Sequence, residues 1–294
     1  MGVGDDCALL RPDAGLELAI TTDMLIEGRH FAPGVDPRSL GHKALAVNLS
    51  DLAAMGAAPR WATLALALPQ ADERWLAAFA EGFFALAERF GVDLIGGDTT
   101  RGPLLVVNIT ALGEVPAGVA LYRAGARPGD DIWVSGELGG AALALARPEL
   151  AAVADRLHRP EPRVELGERL RGLAHAAIDV SDGLAGDLAH ILERSQVGAL
   201  VEYARIPRPA AFGKFPEMER DCVLSGGDDY ELLFTAAQPQ RAEIEALGRE
   251  LKLPLSRIGA IQAGAVKLVV LDAAGKPLAH RGGFDHFAPG PGRP

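Results

Sequence analysis

The sequence predicts an α/β (α+β) protein of two domains, on three observations. Apolar strand-like runs alternate with helix-period segments in both halves of the chain. Glycine-bearing turns follow several of those runs. The composition turns rich in Gly, Arg and Pro at "GVALYRAGARPGDDIWVSG", Gly118 to Gly136. The boundary is set at the start of that stretch, giving an N-terminal domain over residues 1–117 and a C-terminal domain over residues 118–294.

"LELAITTDMLIEGRHF" opens as a strand and ends in a polar loop. "RSLGHKALAVNLSDLAAM" has helical spacing: Leu40, Ala44, Val47 and Leu52 share a face, and Asn48 and Asp51, three apart, emerge side by side. "PRWATLALALP" reads as a buried strand. "DERWLAAFAEGFFALAERFG" is an amphipathic helix with Trp75, Phe79, Phe83, Leu86 and Phe90 toward a core. "VDLIGGDTTRG" reads as a short strand running into a loop, and "PLLVVNITALGEV" as another strand. In the second half "DDIWVSGELGGAALALA" and "AAIDVSDGLAGDLAHILERS" each read as strand, turn and helix. "VLSGGDDYELLF" reads as a buried strand with a polar break, "QRAEIEALGRELKLP" as a helix, and "AVKLVVLDAAGKPLAHRG" as a hairpin.

The chain has 294 residues, 49% hydrophobic and 23% charged, which is enough for one large core or two modest ones. A net charge of -10 argues against broad nucleic-acid binding through a basic surface. No apolar run approaches the roughly 18 residues of a membrane span, and "MGVGDDCALL" has acids where a secretory signal has lysines. Cys7 and Cys222 have no partner at metal-ligand spacing. The expected compartment is the cytoplasm. Cys7, heading the apolar "ALL", is expected to pack.

Carboxylates recur beside small residues: "GVGDD" (Asp5, Asp6), "TTD" (Asp23), "GGDTT" (Asp98), "DVSDG" (Asp179, Asp182) and "GGDD" (Asp228, Asp229), with Asp51 on a helix. Each alone has an ordinary reading as a helix cap or an Asx turn. Together they raise the question of convergence. Two unit charges 4 Å apart cost about 4 kcal/mol at an effective dielectric of 20, so a converged set requires cations. Hard oxygens, with Thr21, Thr22 and Ser181 nearby and no Cys or His at ligand spacing, favour magnesium shared with phosphates. The P-loop pattern, the dinucleotide pattern and the protein-kinase catalytic loop are all missing. The EF-hand spacing is missing too, which weakens a purely cation-binding module as the alternative.

"GVGDDCALL", "TTDMLIEGRHF", "GHKALAVNLSDLAAMGAAPRW", "LIGGDTTRGP", "DVSDGLAGDL" and "SGGDDYELLF" together resemble the bacterial thiamine-monophosphate kinases, in order and approximate spacing. That family belongs to the superfamily of aminoimidazole-ribonucleotide synthetase and selenophosphate synthetase. The resemblance implies an N-terminal mixed sheet with helices that dimerises and a C-terminal sandwich-like α/β domain completing the active site. It implies transfer of the ATP γ-phosphoryl to thiamine monophosphate by direct in-line attack, assisted by several magnesium ions, in a homodimer without nucleic-acid or membrane partners. By motif, the metal ligands are Asp6, Thr21, Thr22, Asp23, Asp51, Asp98, Asp179 and Asp182. Gly97, Asp98, Arg123 and Ser181 match nucleotide contacts, and His30, Asp228 and Phe284 match substrate contacts. Asp229 is expected only to support its loop, and no residue is expected to act as a general base. A leading segment with a helix and a flexible loop usually precedes the first motif, which here begins at Gly2. In the family Glu commonly stands where Asp228 follows Gly227. Another ATP-dependent synthetase of the superfamily is the nearer alternative; the reactive N-terminal-loop Cys of one relative and the C-terminal Cys of another are not matched.

Overall fold

Asp36 caps α1 (Pro37–Ala54) by accepting the Ser39 N–H at 3.0 Å, and Pro37 stands in the first turn, where no amide is needed. Asp72 caps α2 (Glu73–Phe90) through the Arg74 and Trp75 amides, and Gly91 ends it at φ 65°. The structure, a computed structural model, describes residues 7–283. Four strands accompany these helices: β1 (Leu16–Ile26), β2 (Ala58–Leu68), β3 (Asp93–Arg101) and β4 (Val106–Pro116). Their sheet order is β1-β4-β2-β3. β4 pairs antiparallel with both β1 and β2, while β2 and β3 run parallel, so the sheet is mixed.

Further along come β5 (Asp131–Ser135), α3 (Gly140–Ala146), α4 (Ala151–His158), α5 (Val164–Leu170), β6 (Ala174–Asp179) and α6 (Leu184–Ser195). They are followed by β7 (Gly198–Glu202), α7 (Pro216–Ser225), β8 (Leu232–Ala236), α8 (Arg241–Glu250), β9 (Leu255–Gln262) and β10 (Leu268–Leu271). By contacts the chain divides into two units. Among the described residues, one holds those up to Tyr122 with His158–Asp179, the other Arg123–Leu157 with those from Val180 onward. This is the α/β architecture the sequence predicts.

In the first unit α1 lies on β1 and β4 and against α2. The helices approach so closely that a Cβ on Gly82 would stand 1.8 Å from the Arg38 carbonyl oxygen. Leu45, Leu49, Phe79, Phe83 and Ile109 are buried in the core of this unit. α1 is buried on nearly every side, Asn48 and Lys43 included, so Asn48 does not emerge beside Asp51. Along β1 the even residues Ile20, Thr22 and Met24 are exposed, whereas Thr21, Asp23 and Leu25 are partly or fully buried. That period-two alternation marks one covered face and one open face. In the second unit the strands run β10-β7-β9-β5-β8, with Trp133 and Phe234 stacked at 6.3 Å in its core.

Several local expectations change. Asp23 and Asp98 lie inside strands rather than at strand ends, because β1 extends to Ile26 and β3 runs on to Arg101. β2 lends β3 a parallel partner through Gly96, Gly97 and Asp98, which overrides the poor strand propensity of two glycines. Val223–Ser225 form the last turn of α7, and β8 begins only at Leu232. Two short helices, α4 and α5, separated by Pro160 and Pro162, are not among the segments the sequence marks. The expected hairpin reduces to β10, a turn at Asp272–Gly275 and a single bridge between Leu271 and Pro277. Cys7 is exposed, not packed: residues 7–13 form no regular element, and Leu9 beside it is 70% exposed.

Candidate active site

In the first unit Thr21 and Asp51 meet: the Thr21 hydroxyl donates to the Asp51 carboxylate. Asp23 lies two residues along β1, on the same face as Thr21. Ser50, next to Asp51 on α1, donates its hydroxyl to Asp179 at 2.7 Å, in a setting where Ser50 and Asp179 are both buried. The last turns of α1 thus present one carboxylate, Asp51, and hold a second, Asp179, from a distant part of the chain. Thr22 faces the opposite way; its hydroxyl donates to the Ile109 carbonyl and accepts from Thr110, each at 3.1 Å. Asp98 sits on the far edge of the sheet. Three strand spacings of about 4.8 Å separate β3 from β1, on the order of 14 Å. Asp98 is exposed and accepts the N–H of Thr99 at 2.9 Å. Gly97 beside it has no room for a side chain, since a Cβ would come within 1.9 Å of the Leu64 carbonyl oxygen.

His30 stands in the turn after β1. Its Nδ1 accepts the Ile26 N–H at 3.0 Å, so the neutral ring carries its proton on Nε2 as a donor. Among the described residues no three His, Cys, Asp or Glu side chains form a metal-holding group by themselves. Hydroxyl and carboxylate oxygens at Thr21, Asp23 and Asp51 nevertheless fit magnesium, which takes few protein carboxylates and fills its shell with water and phosphate. Asp6 and Phe284 lie outside the described residues.

In the second unit two loops interlock. Asp187 on α6 accepts the backbone N–H groups of Ser181, Asp182 and Gly183, each at 3.1 Å. Burial, and then the neighbouring Asp182, push the Asp187 carboxyl up to about 7 against those three donors. The Ser181 carbonyl in turn accepts the Asp228 N–H at 2.9 Å. A Cβ on Gly227 would come within 2.3 Å of that carbonyl oxygen, which accounts for glycine there. Ser181 and Asp182 are thereby brought beside Asp228.

Asp229 points into the unit and accepts N–H bonds from Gly139 at 2.6 Å and Ala141 at 3.3 Å. Burial pushes its carboxyl up to about 8, with Glu231 and Asp228 adding to the shift against the two N–H bonds. It supports the loop. Asp228 and Tyr230, on either side, have φ of 69° and 51°, and left-handed backbone costs a non-glycine residue about 1–2 kcal/mol.

Two domain families match the sequence: "AIR synthase related protein, N-terminal domain" over residues 4–115 and the corresponding C-terminal domain over residues 127–271. The thiamine-monophosphate kinase of Escherichia coli (strain K12) is 45% identical, over 98% of this chain and 92% of its own length. The chain belongs to the thiamine-monophosphate kinase family. A crystal structure of the thiamine-monophosphate kinase from Stenotrophomonas maltophilia K279a is 50% identical, with a TM-score of 0.88 over 95% of this chain and 92% of that one. AaThiL complexed with AMPPCP and TMP is 29% identical, with a TM-score of 0.82 over 94% of this chain and 89% of that one.

Within this kinase family member the sequence reading misses three supporting residues. Asp187 gathers the Ser181–Gly183 amides; its signal was the Asp four residues after Gly183, at the head of a helix. Ser195 does the same for the Arg123 loop, accepting from Gly125 and Ala126 at 3.1 Å and donating to the Arg123 carbonyl at 3.3 Å. No sequence signal singles out Ser195. Tyr230 donates its hydroxyl to Asp228 Oδ1 at 3.0 Å.

Proposed function

We propose that the chain transfers the γ-phosphoryl group of ATP to thiamine monophosphate, giving thiamine diphosphate and ADP. The observation that carries this reading is the near full-length likeness to a protein held with AMPPCP, an ATP analogue, and TMP. The acceptor is a phosphate oxygen whose second pKa lies near 6, so it is already ionised at neutral pH and needs no base. One P–O bond forms to that oxygen as the bond to the ADP oxygen breaks; no proton changes hands. What remains is to hold two anions in line and to offset charge on a metaphosphate-like transition state.

Thr21, Asp23 and Asp51 are the oxygens of the first unit suited to hold magnesium, with Asp6 and Asp179 completing the assigned set; Thr22, expected among these ligands, points its hydroxyl to the opposite face of the sheet and is left out. Magnesium bound there supplies the positive charge that two facing phosphates require. A magnesium–oxygen bond is about 2.1 Å, so no single ion joins Asp98 to Asp51 across the sheet. Asp98, expected in one cluster shared with Asp51, stands on the far edge of the sheet from β1 and would, with Gly97 beside it, hold magnesium apart from that set. In the second unit Asp182 serves as a further ligand, Ser181 and Arg123 as nucleotide contacts. His30, as an Nε2–H donor, suits a phosphate oxygen. Asp228 meets the thiamine end, whose cationic ring a carboxylate attracts. Phe284 is assigned to the same end.

The open face of the first sheet supports a homodimer. Ile20 is 64% and Met24 50% exposed, and Leu112 and Trp61 stand in register with Ile20. A second copy covering this face would bury that row. No helix among the described residues is long and apolar enough to cross a membrane, and cytoplasmic placement is part of the same proposal.

Asp51→Asn and Asp98→Asn test the metal assignment. Each is expected to lower kcat by about 100-fold or more, the scale of a lost electrostatic stabiliser, and to raise the magnesium needed for half-maximal rate. Wild-type turnover of either variant at saturating magnesium contradicts the assignment for that residue.

A further inference from the structure

The segment Gly226–Glu231, between α7 and β8, is anchored from both sides. Its odd residues are fixed within the unit: Asp229 takes the amides of Gly139 and Ala141, and the buried Glu231 carboxylate takes the Ser135 hydroxyl at 2.5 Å. The backbone of its even residues is pinned to the neighbouring loop. Asp228 N–H donates to Ser181 at 2.9 Å, and Tyr230 N–H to Val180 at 2.8 Å. Asp228 and Tyr230 are both held in the left-handed region, at φ 69° and 51°. Two such non-glycine residues in three positions persist only where the surroundings over-determine them. In this conformation the Tyr230 hydroxyl donates to Asp228 Oδ1 at 3.0 Å. In that bond the phenol hydroxyl donates and the carboxylate oxygen accepts.

We propose that Tyr230 is a positioning residue for substrate selection, fixing the Asp228 carboxylate toward the thiamine end of thiamine monophosphate. This rests on the reading of Asp228 given above. Tyr230 is 8% exposed, so its ring is held by packing while its hydroxyl orients the carboxylate. Asp229 and Glu231 hold the backbone that makes the contact possible.

The test compares Tyr230→Phe, Asp228→Ala and the double variant with the parent protein, using thiamine monophosphate and ATP and a melting curve for each. Tyr230→Phe keeps the ring. It is expected to raise the KM for thiamine monophosphate about tenfold, the scale of one hydrogen bond to a charged group, while kcat, the KM for ATP and the melting temperature hold. Asp228→Ala is expected to raise the same KM at least as much, and adding Tyr230→Phe to it should change nothing further, because the two act as one unit. A normal KM in Tyr230→Phe alongside a raised KM in Asp228→Ala overturns the proposal and leaves the role of Asp228 standing. So does a loss in Tyr230→Phe spread over melting temperature and every kinetic constant, which marks a structural role alone. A normal KM in Asp228→Ala overturns the role of Asp228 itself, and the proposal with it.

Discussion

Asp228 and Asp229 are adjacent and chemically identical, yet the structure gives them opposite tasks. Asp228 reaches the Tyr230 hydroxyl, while Asp229 turns inward to two backbone amides. The inward one has a measurable consequence. Its carboxyl, raised by burial to about 8, binds a proton in the folded chain over a range where the unfolded chain has released it. The folded state then holds more protons than the unfolded state, so stability falls as pH rises from about 4 to about 8 and levels off above. Thermal melting across that range should show the decline, and Asp229→Asn should flatten part of it; equal slopes in the two proteins would remove Asp229 as its source. The pairing of carboxylate with glycine was legible in the sequence. The role of Ser195 was not, because hydrogen bonds to a loop about 70 residues away leave no local pattern, whereas Asp187 takes amides only four to six residues before it.

The long elements were the most legible. α2 carries its apolar residues at helical period with Asp72 and Gly91 at its ends, and it forms where that pattern places it. β3 and α7 were harder to read for opposite reasons. Gly96 and Gly97 hide a strand that only its parallel partner stabilises, while Val223 and Leu224, ahead of two glycines, resemble a strand but close a helix. The α1–α2 pair is the element contact most sensitive to a single atom. In Gly82→Ala the added Cβ meets the rigid Arg38 backbone at 1.8 Å, so the helices must move apart. The cost expected is about 1–3 kcal/mol or more, read as a lower denaturant midpoint. An unchanged midpoint would mean that the two helices adjust freely, and their close contact would lose its importance.

The whole chain follows an alternating α/β plan that its strand and helix signals made visible, and its motifs carried the family. The interleaving of the units was not visible. The sequence places one boundary at residue 118, whereas His158–Asp179 packs with the first unit, a tertiary choice that no local composition marks. The dimer assigned to the open sheet face should respond to charge there. Ile20→Lys is expected to shift sedimentation from dimer to monomer, since a buried lysine facing an apolar row is strongly disfavoured. Unaltered sedimentation of a dimer would move the interface elsewhere. The most direct measurement is product formation by the purified chain with ATP, magnesium and either thiamine monophosphate or thiamine. Stoichiometric thiamine diphosphate and ADP with the monophosphate, and no ATP consumption with thiamine, is the expected result; ATP consumption indifferent to the acceptor, or none with either, would contradict the assignment.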